Sequence, residues 1–253
     1  RQGPRMRGLH ARGGPYVAAY LPAGFPSRAA FLDLLPSVGA CADVLEVGVP
    51  FSDPMADGLT IQRASRTALA GGTTLAWILE ALGDLPPHPA LYLMTYLNPV
   101  LAFGVDRLAA AAGVAGVRGL VVPDLPLEEV EVLQPLREAG VELVPLVAPT
   151  TPATRLRRLC ACPASFVYAI TRPATTGGAT VVDGALRDFL DRVRGAAGES
   201  AVLAGFGVRA PEQAAALRAH ADGVVVGSAL VEDLDMGRDP TVRLRALREA
   251  MRS

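Results

Sequence analysis

Short apolar runs rich in β-branched residues recur along the chain at intervals of roughly 20–35 residues, over 17–21, 44–49, 90–96, 119–123, 142–148, 166–171, 201–206 and 223–227. Runs that are apolar throughout belong to strands covered on both faces, as in a parallel sheet lying between helices. The stretches between them are rich in Ala, Leu and Arg at helical spacing, most clearly over 100–115, 125–139 and 211–219. Gly140 closes the second of these, and the third opens on Pro211 with Glu212 behind it, which suits a helix end and a helix start. Eight strands alternating with helices in 253 residues predict an α/β fold, a single (β/α)8 TIM barrel, over an open doubly wound sheet. No Ser/Gly- or Pro-rich break divides the chain, so 1–253 reads as one domain. Its first 14 residues are poorly defined, and those before Met6 read as partly foreign to the native start.

Composition removes several kinds of chemistry. All 24 basic residues are arginine, and the chain has no lysine. Schiff-base aldolase chemistry and covalent pyridoxal phosphate both need a lysine amine, so neither is open to it. His10 lies near the amino terminus, His88 in a Pro-rich connection and His220 near a helix end. None falls on a strand end, so no metal centre is expected, nor any other cofactor. Cys41, Cys160 and Cys162 make neither a disulfide framework nor a zinc site and read as inert thiols. A net charge of -1 gives no electrostatic case for nucleic acid or an anionic membrane surface. No apolar run approaches the roughly 18 residues of a membrane span. The opening Arg1-Gln-Gly-Pro-Arg5 lacks the apolar stretch of a signal peptide, and a cytoplasmic protein is expected.

The barrel places chemistry on the loops after the strands, and the densest polar segment falls there. In 45–58 (Leu-Glu-Val-Gly-Val-Pro-Phe-Ser-Asp-Pro-Met-Ala-Asp-Gly), Glu46 sits inside an apolar strand, with Asp53 and Asp57 on the loop that follows. A carboxylate in a strand core is costly to leave ionised. Such a group is either a paired structural residue or an acid–base group with a raised pKa, and the segment alone leaves both readings open. Tyr96 and Asn98 follow the third strand, Asp124 the fourth, and Tyr168 and Arg172 flank the sixth strand's end. Gly205-Phe-Gly207 follows the seventh strand and Gly227-Ser228-Ala229 the eighth, where such barrels cradle phosphate on backbone N–H groups and a helix amino terminus. The loop 172–180 is either a mobile lid or an ordinary flexible loop.

These segments together resemble the tryptophan synthase alpha subunit family. The likeness runs from about Tyr16 to Glu232 and is specific at 45–58, Leu93-Met-Thr-Tyr-Leu-Asn-Pro99, Gly119-Leu-Val-Val-Pro-Asp-Leu-Pro126 and Val147-Ala-Pro-Thr-Thr-Pro152. Phe166-Val-Tyr168, Gly205-Phe-Gly207 and Ala221-Asp-Gly-Val-Val-Val-Gly-Ser228 add to it. The resemblance implies a cofactor-free retro-aldol lyase that cleaves indole-3-glycerol phosphate to indole and glyceraldehyde 3-phosphate. It further implies an α2β2 complex with a β subunit that takes up the indole. By motif, Glu46 would be the general acid–base, Asp57 would hold the indole N–H, and Tyr168 would line the reaction centre. Phosphate would rest on Gly177, Gly207, Gly227 and Ser228. Tyr20, Met94, Tyr96 and Pro123 would line the indole pocket, while Arg172 and Thr176 would belong to the lid. Asp53 reads as a loop-capping carboxylate and Asp124 as a structural or subunit-contact residue.

The sequence departs from the family's pattern at three places. Leu59 follows Asp57-Gly58 where proline is usual. The lid reads Arg172-Pro-Ala-Thr-Thr-Gly177, with Pro173 and Ala174 at its hinge, and the segment before the first strand is short. All three lie away from Glu46 and Asp57, and two lie on loops that in the family close over substrate and face the partner. A standalone lyase that releases free indole, a catalytically weak subunit that activates a β partner, and a related phosphate-binding isomerase are the competing expectations.

Overall fold

The computed structural model describes residue 9 and residues 14–85, 89–171, 182–205 and 207–252. Every strand pair is parallel: β1 (Tyr16–Pro22), β2 (Val44–Gly48), β3 (Ala90–Met94), β4 (Val117–Val121), β5 (Glu142–Val144), β6 (Leu146–Val147), β7 (Phe166–Ile170), β8 (Ala201–Gly205) and β9 (Gly223–Val226). The sheet runs in the order β5-β4-β3-β2-β1-β9-β8-β7-β6. Its two ends, β5 and β6, are neighbours in the chain with only Pro145 between them, so the sheet closes on itself as a (β/α)8 barrel.

That closure corrects the expectation of one strand over 142–148. Proline has no N–H to give to a ladder, and the strand divides there into a half bonded to β4 and a half bonded to β7. The Pro145 carbonyl still accepts from the Tyr168 N–H at 2.9 Å, which carries the seam across the break.

Two expected helices also divide. The stretch 100–115 breaks at Gly104 into α4 (Leu97–Phe103) and α5 (Val105–Val114), bent by 92°. Gly104 holds φ 95°, a conformation that glycine alone adopts without strain. The stretch 125–139 is a 3-10 turn (Leu127–Leu133) followed by the short α6 (Gln134–Glu138). Pro135 cannot donate back to residue 131, so a continuous α ladder is not available, whereas proline suits the first turn of α6. The third expected helix is α9 (Pro211–Leu217), two residues shorter than its expected end.

Alternation along each strand divides the apolar residues into two layers. Tyr20, Tyr92, Met94, Val121, Phe166, Tyr168 and Leu203 fill the barrel interior. Leu21, Leu45, Val47, Leu93, Leu120 and Val167 face outward against the helices. On the outer layer α1 (Arg28–Cys41) contributes Phe31 and Leu35, α3 (Leu75–Gly83) Ile78 and Leu82, α8 (Gly184–Ala196) Phe189 and Leu190, and α11 (Pro240–Arg252) Leu244 and Leu247. Ser27, Thr74 and Asp183 cap α1, α3 and α8 by accepting a first-turn N–H. Cys41 and Cys160 are buried and all three cysteines are free thiols; burial, with Cys162 beside it, pushes the Cys160 thiol up to about 11.

The amino end of the barrel is tied at the seam by Glu142. Its carboxylate accepts from the Tyr92 hydroxyl (3.0 Å), the Ser165 N–H (2.9 Å), the Ser165 hydroxyl (2.8 Å) and Arg118 Nε (3.1 Å), joining β3, β4, β5 and the approach to β7. Glu142→Ala leaves the fully buried Tyr92 hydroxyl without this acceptor, and should cost roughly 2–3 kcal/mol of unfolding free energy in urea titrations. A loss below about 0.5 kcal/mol would show that the seam is held by backbone pairing alone.

Candidate active site

Glu46 projects from the middle of β2 into the barrel, in register with Tyr20 of β1 and Tyr92 of β3. It is 3% exposed, and its Oε1 has no hydrogen-bond partner among the described residues. Burial, and after it the charge of Asp57, pushes its carboxyl up to about 8, so it holds its proton at neutral pH. Asp57 lies on the loop between β2 and α2 (Leu59–Ala70). The Tyr96 hydroxyl donates to Asp57 Oδ2 at 3.1 Å and accepts the Ala56 N–H at 2.9 Å, which fixes the loop to the end of β3. Gln62 Nε2 donates to the Asp57 carbonyl at 2.9 Å, and the Phe51 ring packs against Tyr96 with centroids 5.2 Å apart. Burial raises the Asp57 carboxyl to about 6 while the Tyr96 hydrogen bond restrains it. Two carboxyls in one cavity thus titrate on opposite sides of neutrality, one set to give a proton and one to carry a negative charge.

The inward tyrosines lie over glycines of the next strand. A Cβ on Gly48 would stand 2.2 Å from the Tyr20 hydroxyl, and one on Gly205 would stand 2.5 Å from Tyr168 Cε1. Both rings are buried, which holds their phenols protonated far above the ordinary range.

At the other end of the cavity, Gly207 follows β8 with φ 87°. Gly227 precedes α10 (Ser228–Asp235), whose first N–H groups have no acceptors within the helix. Gly227 is required for a different reason from Gly207. Its φ of -128° suits any residue, but its Cβ would press on Tyr20 Cδ1 at 3.0 Å.

Of the residues chosen from sequence, Glu46, Asp57, Tyr168, Tyr20, Met94, Gly207, Gly227 and Ser228 line one narrow cavity at the carboxyl ends of the strands. Tyr96 stands behind Asp57 as its hydrogen-bond donor. Pro123 is not among the described lining residues; it borders a larger cavity of about 710 Å³ on the flank of β4–β6, which contains none of the raised carboxyls. Asp124 accepts the Leu97 N–H at 2.9 Å and so starts α4, a structural duty. Asp53 is exposed and accepts from the Ser52 hydroxyl. Arg172, Pro173, Ala174, Thr176 and Gly177 lie outside the described residues, as do His10, His88 and Phe206. Sequence reasoning missed Ile61, Val208, Arg209 and Val225, which also line the cavity, as does Ala229 of the expected Gly227-Ser228-Ala229 segment. The strand-end position of Gly207 was the available signal for Val208 and Arg209, since neighbours of a phosphate loop share its site.

Fold and site together define the class: a parallel (β/α)8 barrel with a buried carboxyl pair and a glycine-lined helix start facing one cavity at the carboxyl ends of its strands. The sequence model of the tryptophan synthase alpha chain family matches residues 6–252. The tryptophan synthase alpha chain of Gluconacetobacter diazotrophicus is 43% identical over 240 residues, covering 93% of this chain and 87% of that protein. That of Chloroflexus aurantiacus is 39% identical over 232 residues, covering 90% and 87%. The structure of Mycobacterium tuberculosis tryptophan synthase in space group F222 matches with a TM-score of 0.86 at 34% identity, covering 96% of this chain and 95% of that one. The crystal structure of the tryptophan synthase alpha chain from Legionella pneumophila matches with a TM-score of 0.82 at 30% identity, covering 94% and 91%. The chain belongs to the tryptophan synthase alpha chain family.

The buried acid has a consequence for stability. Folded Glu46 keeps its proton to about pH 8, whereas the unfolded chain loses it near the ordinary value of 4.5. Between those limits the folded state binds more protons, so this group makes stability fall as pH rises. Glu46→Gln removes that slope. The variant should nearly match the parent's unfolding free energy in urea titrations at pH 5 and exceed it by a few kcal/mol (~2–4) at pH 8. A difference that stays flat across that range would mean that Glu46 ionises normally in the folded state.

Proposed function

We propose that this chain cleaves indole-3-glycerol phosphate to indole and glyceraldehyde 3-phosphate, as the alpha subunit of a cytoplasmic tryptophan synthase, using one barrel domain. The observation that carries the reading is the pair of carboxyls held on either side of neutrality in the same cavity as a glycine-lined helix start. Family membership supplies the reaction, and these residues suit each of its needs.

Glu46, protonated, gives a proton to C3 of the indole ring, which makes the ring a leaving group. Asp57, ionised, accepts a hydrogen bond from the indole N–H and offsets the positive charge that grows there. The proton of the hydroxyl on the adjacent side-chain carbon then leaves to Glu46, now a carboxylate. The carbon–carbon bond breaks and that oxygen becomes the aldehyde carbonyl. One proton enters at carbon and one leaves oxygen, so the acid is restored. Tyr20, Met94 and Tyr168 wall the ring and keep water from the exchange. Gly207, Gly227 and the Ser228 hydroxyl, at the start of α10, take the phosphate.

Met55 and Leu59, 78% and 79% exposed, stand on either side of Asp57 at the mouth of this site. Leu59, contrary to expectation, therefore does not lie away from the acid–base pair. Leu101 of α4 is exposed beside the same end of the barrel. Apolar side chains left open around an active-site mouth suit a partner that seals it and receives the indole. That partner is a β subunit, in an α2β2 assembly. No single helix among the described residues is long and apolar enough to cross a membrane.

Indole release by the purified chain, with and without a β subunit, tests the proposal. The expected result is slow release that the partner accelerates; fast release without it marks a standalone lyase, and none in either condition removes the lyase reading. The kcat/KM profile should be bell-shaped, rising as Asp57 ionises near about pH 6 and falling as Glu46 loses its proton near about pH 8. Glu46→Gln should lower kcat by roughly 10²–10⁴-fold while the far-UV spectrum stays that of the parent. Near-parental turnover in that variant would remove Glu46 from the mechanism.

A further inference from the structure

Arg209 is the one cation among the described residues that line the site cavity. It lies two residues beyond Gly207 on the loop between β8 and α9, and lines the same cavity as Gly227 and Ser228. Its backbone is clamped directly by two helices, one of them braced by a third. The N–H donates to Gln213 Oε1 of α9 at 2.8 Å, and the carbonyl accepts from Arg243 of α11. Arg243 is in turn held by Asp233 of α10, a buried carboxylate that also pairs with Arg238.

The side chain is held far less firmly. Among the described residues the guanidinium pairs with Glu232 alone, and both side chains are partly wet, at 32% and 26% exposure. Glu232 lies four residues after Ser228 on α10, hence on the same face one turn down. A guanidinium resting on Glu232 therefore waits about one helical turn from the Ser228 end of the cavity.

Charge balance gives that position a purpose. A phosphomonoester brings about -1.5 to -2 charges at neutral pH, and a helix start offers roughly +0.5. Glu46 and Asp57 share the cavity and add no positive charge, and the chain has no lysine to supply one. Roughly one to one and a half negative charges would stay uncompensated without a nearby cation.

We propose that Arg209 is the mobile counter-charge for the substrate's phosphate: Glu232 holds the guanidinium when the site is empty, and the phosphate displaces Glu232 on binding. The inference rests on the lyase reading and deepens it, since it adds a side-chain cation to a phosphate seat otherwise made of backbone N–H groups and a hydroxyl. Fixing the backbone at residue 209 while leaving the side chain one partly exposed partner is what such an exchange needs. A planar, multi-donor group suits the transfer from carboxylate to phosphate.

The test compares the parent, Arg209→Gln and Glu232→Gln on indole-3-glycerol phosphate and on indole-3-glycerol, which lacks the phosphate, in the complex with β subunit. Arg209→Gln should raise KM for the phosphorylated substrate roughly tenfold, with kcat within about threefold, and leave kcat/KM on the phosphate-free substrate unchanged. Glu232→Gln frees the guanidinium and should lower KM for the phosphorylated substrate alone. Inorganic phosphate, titrated calorimetrically, should bind more weakly to Arg209→Gln and more tightly to Glu232→Gln. Equal losses on both substrates, or unchanged KM and phosphate affinity in Arg209→Gln, would make the pair structural and overturn the inference. If Arg209→Gln does not fold, Glu232→Gln decides, and an unchanged or raised KM overturns it. Phosphate affinity that follows both variants in a chain that releases no indole would keep the inference and remove the lyase reading.

Discussion

The constraint on which the rest of this structure depends is that Glu46 must stay uncharged inside a dry barrel. Ionising the carboxyl there would use up a large part of the domain's marginal stability, so the fold either pairs the group or keeps its proton on. Oε1 meets no donor among the described residues and the charge that acts on it is that of another carboxyl, Asp57, so the proton stays. That outcome needs strands apolar on both faces, which in turn need a helix layer outside them, and a barrel interior filled to its ends. The parallel barrel is therefore the condition under which this glutamate can act as an acid near neutrality.

Filling the interior around an acid is done with tyrosines seated on glycines. Gly48 takes the ring of Tyr20, Gly119 that of Tyr92 and Gly205 that of Tyr168. Each pair joins neighbouring strands, so ring and gap are set by sheet register. The arrangement gives large aromatic volume without crowding the backbone. It also leaves the phenols of Tyr20 and Tyr168 beside the carboxyls, too deeply buried to ionise and so unable to compete for the proton Glu46 must give.

Much of this was legible in the sequence because the signals are local. Continuous apolar runs marked the strands, and Glu46 stood out because a carboxylate is anomalous in such a run. Asp57 and Tyr168 followed from position after or on a strand. What was not legible depends on register or on closure. The run 142–148 looks like one strand because its break is visible only when its halves are seen bonded to β4 and β7. The expected helix over 125–139 hides the effect of Pro135 behind a good helical composition. Arg209 is one arginine among many until the barrel places it in one cavity with Gly227, and Ile61 looks like any apolar helix residue until α2 turns it inward.

Tyr20 links the two ends of the site. Its hydroxyl reaches over Gly48, two residues from Glu46 on the same face of β2, while its ring edge touches Gly227 at the start of the phosphate end. One rigid ring thus forms the shared wall between the proton-transfer centre and the anion seat, so a shift of the helix start at Ser228 displaces the wall beside the acid. The two halves of the cavity were read from separate motifs, one after the second strand and one after the last. They are mechanically joined because β1 lies between β2 and β9 in the closed sheet. Closure of the barrel is therefore what brings an acid from the first half of the chain and a phosphate seat from the second half to the two ends of the same tyrosine side chain.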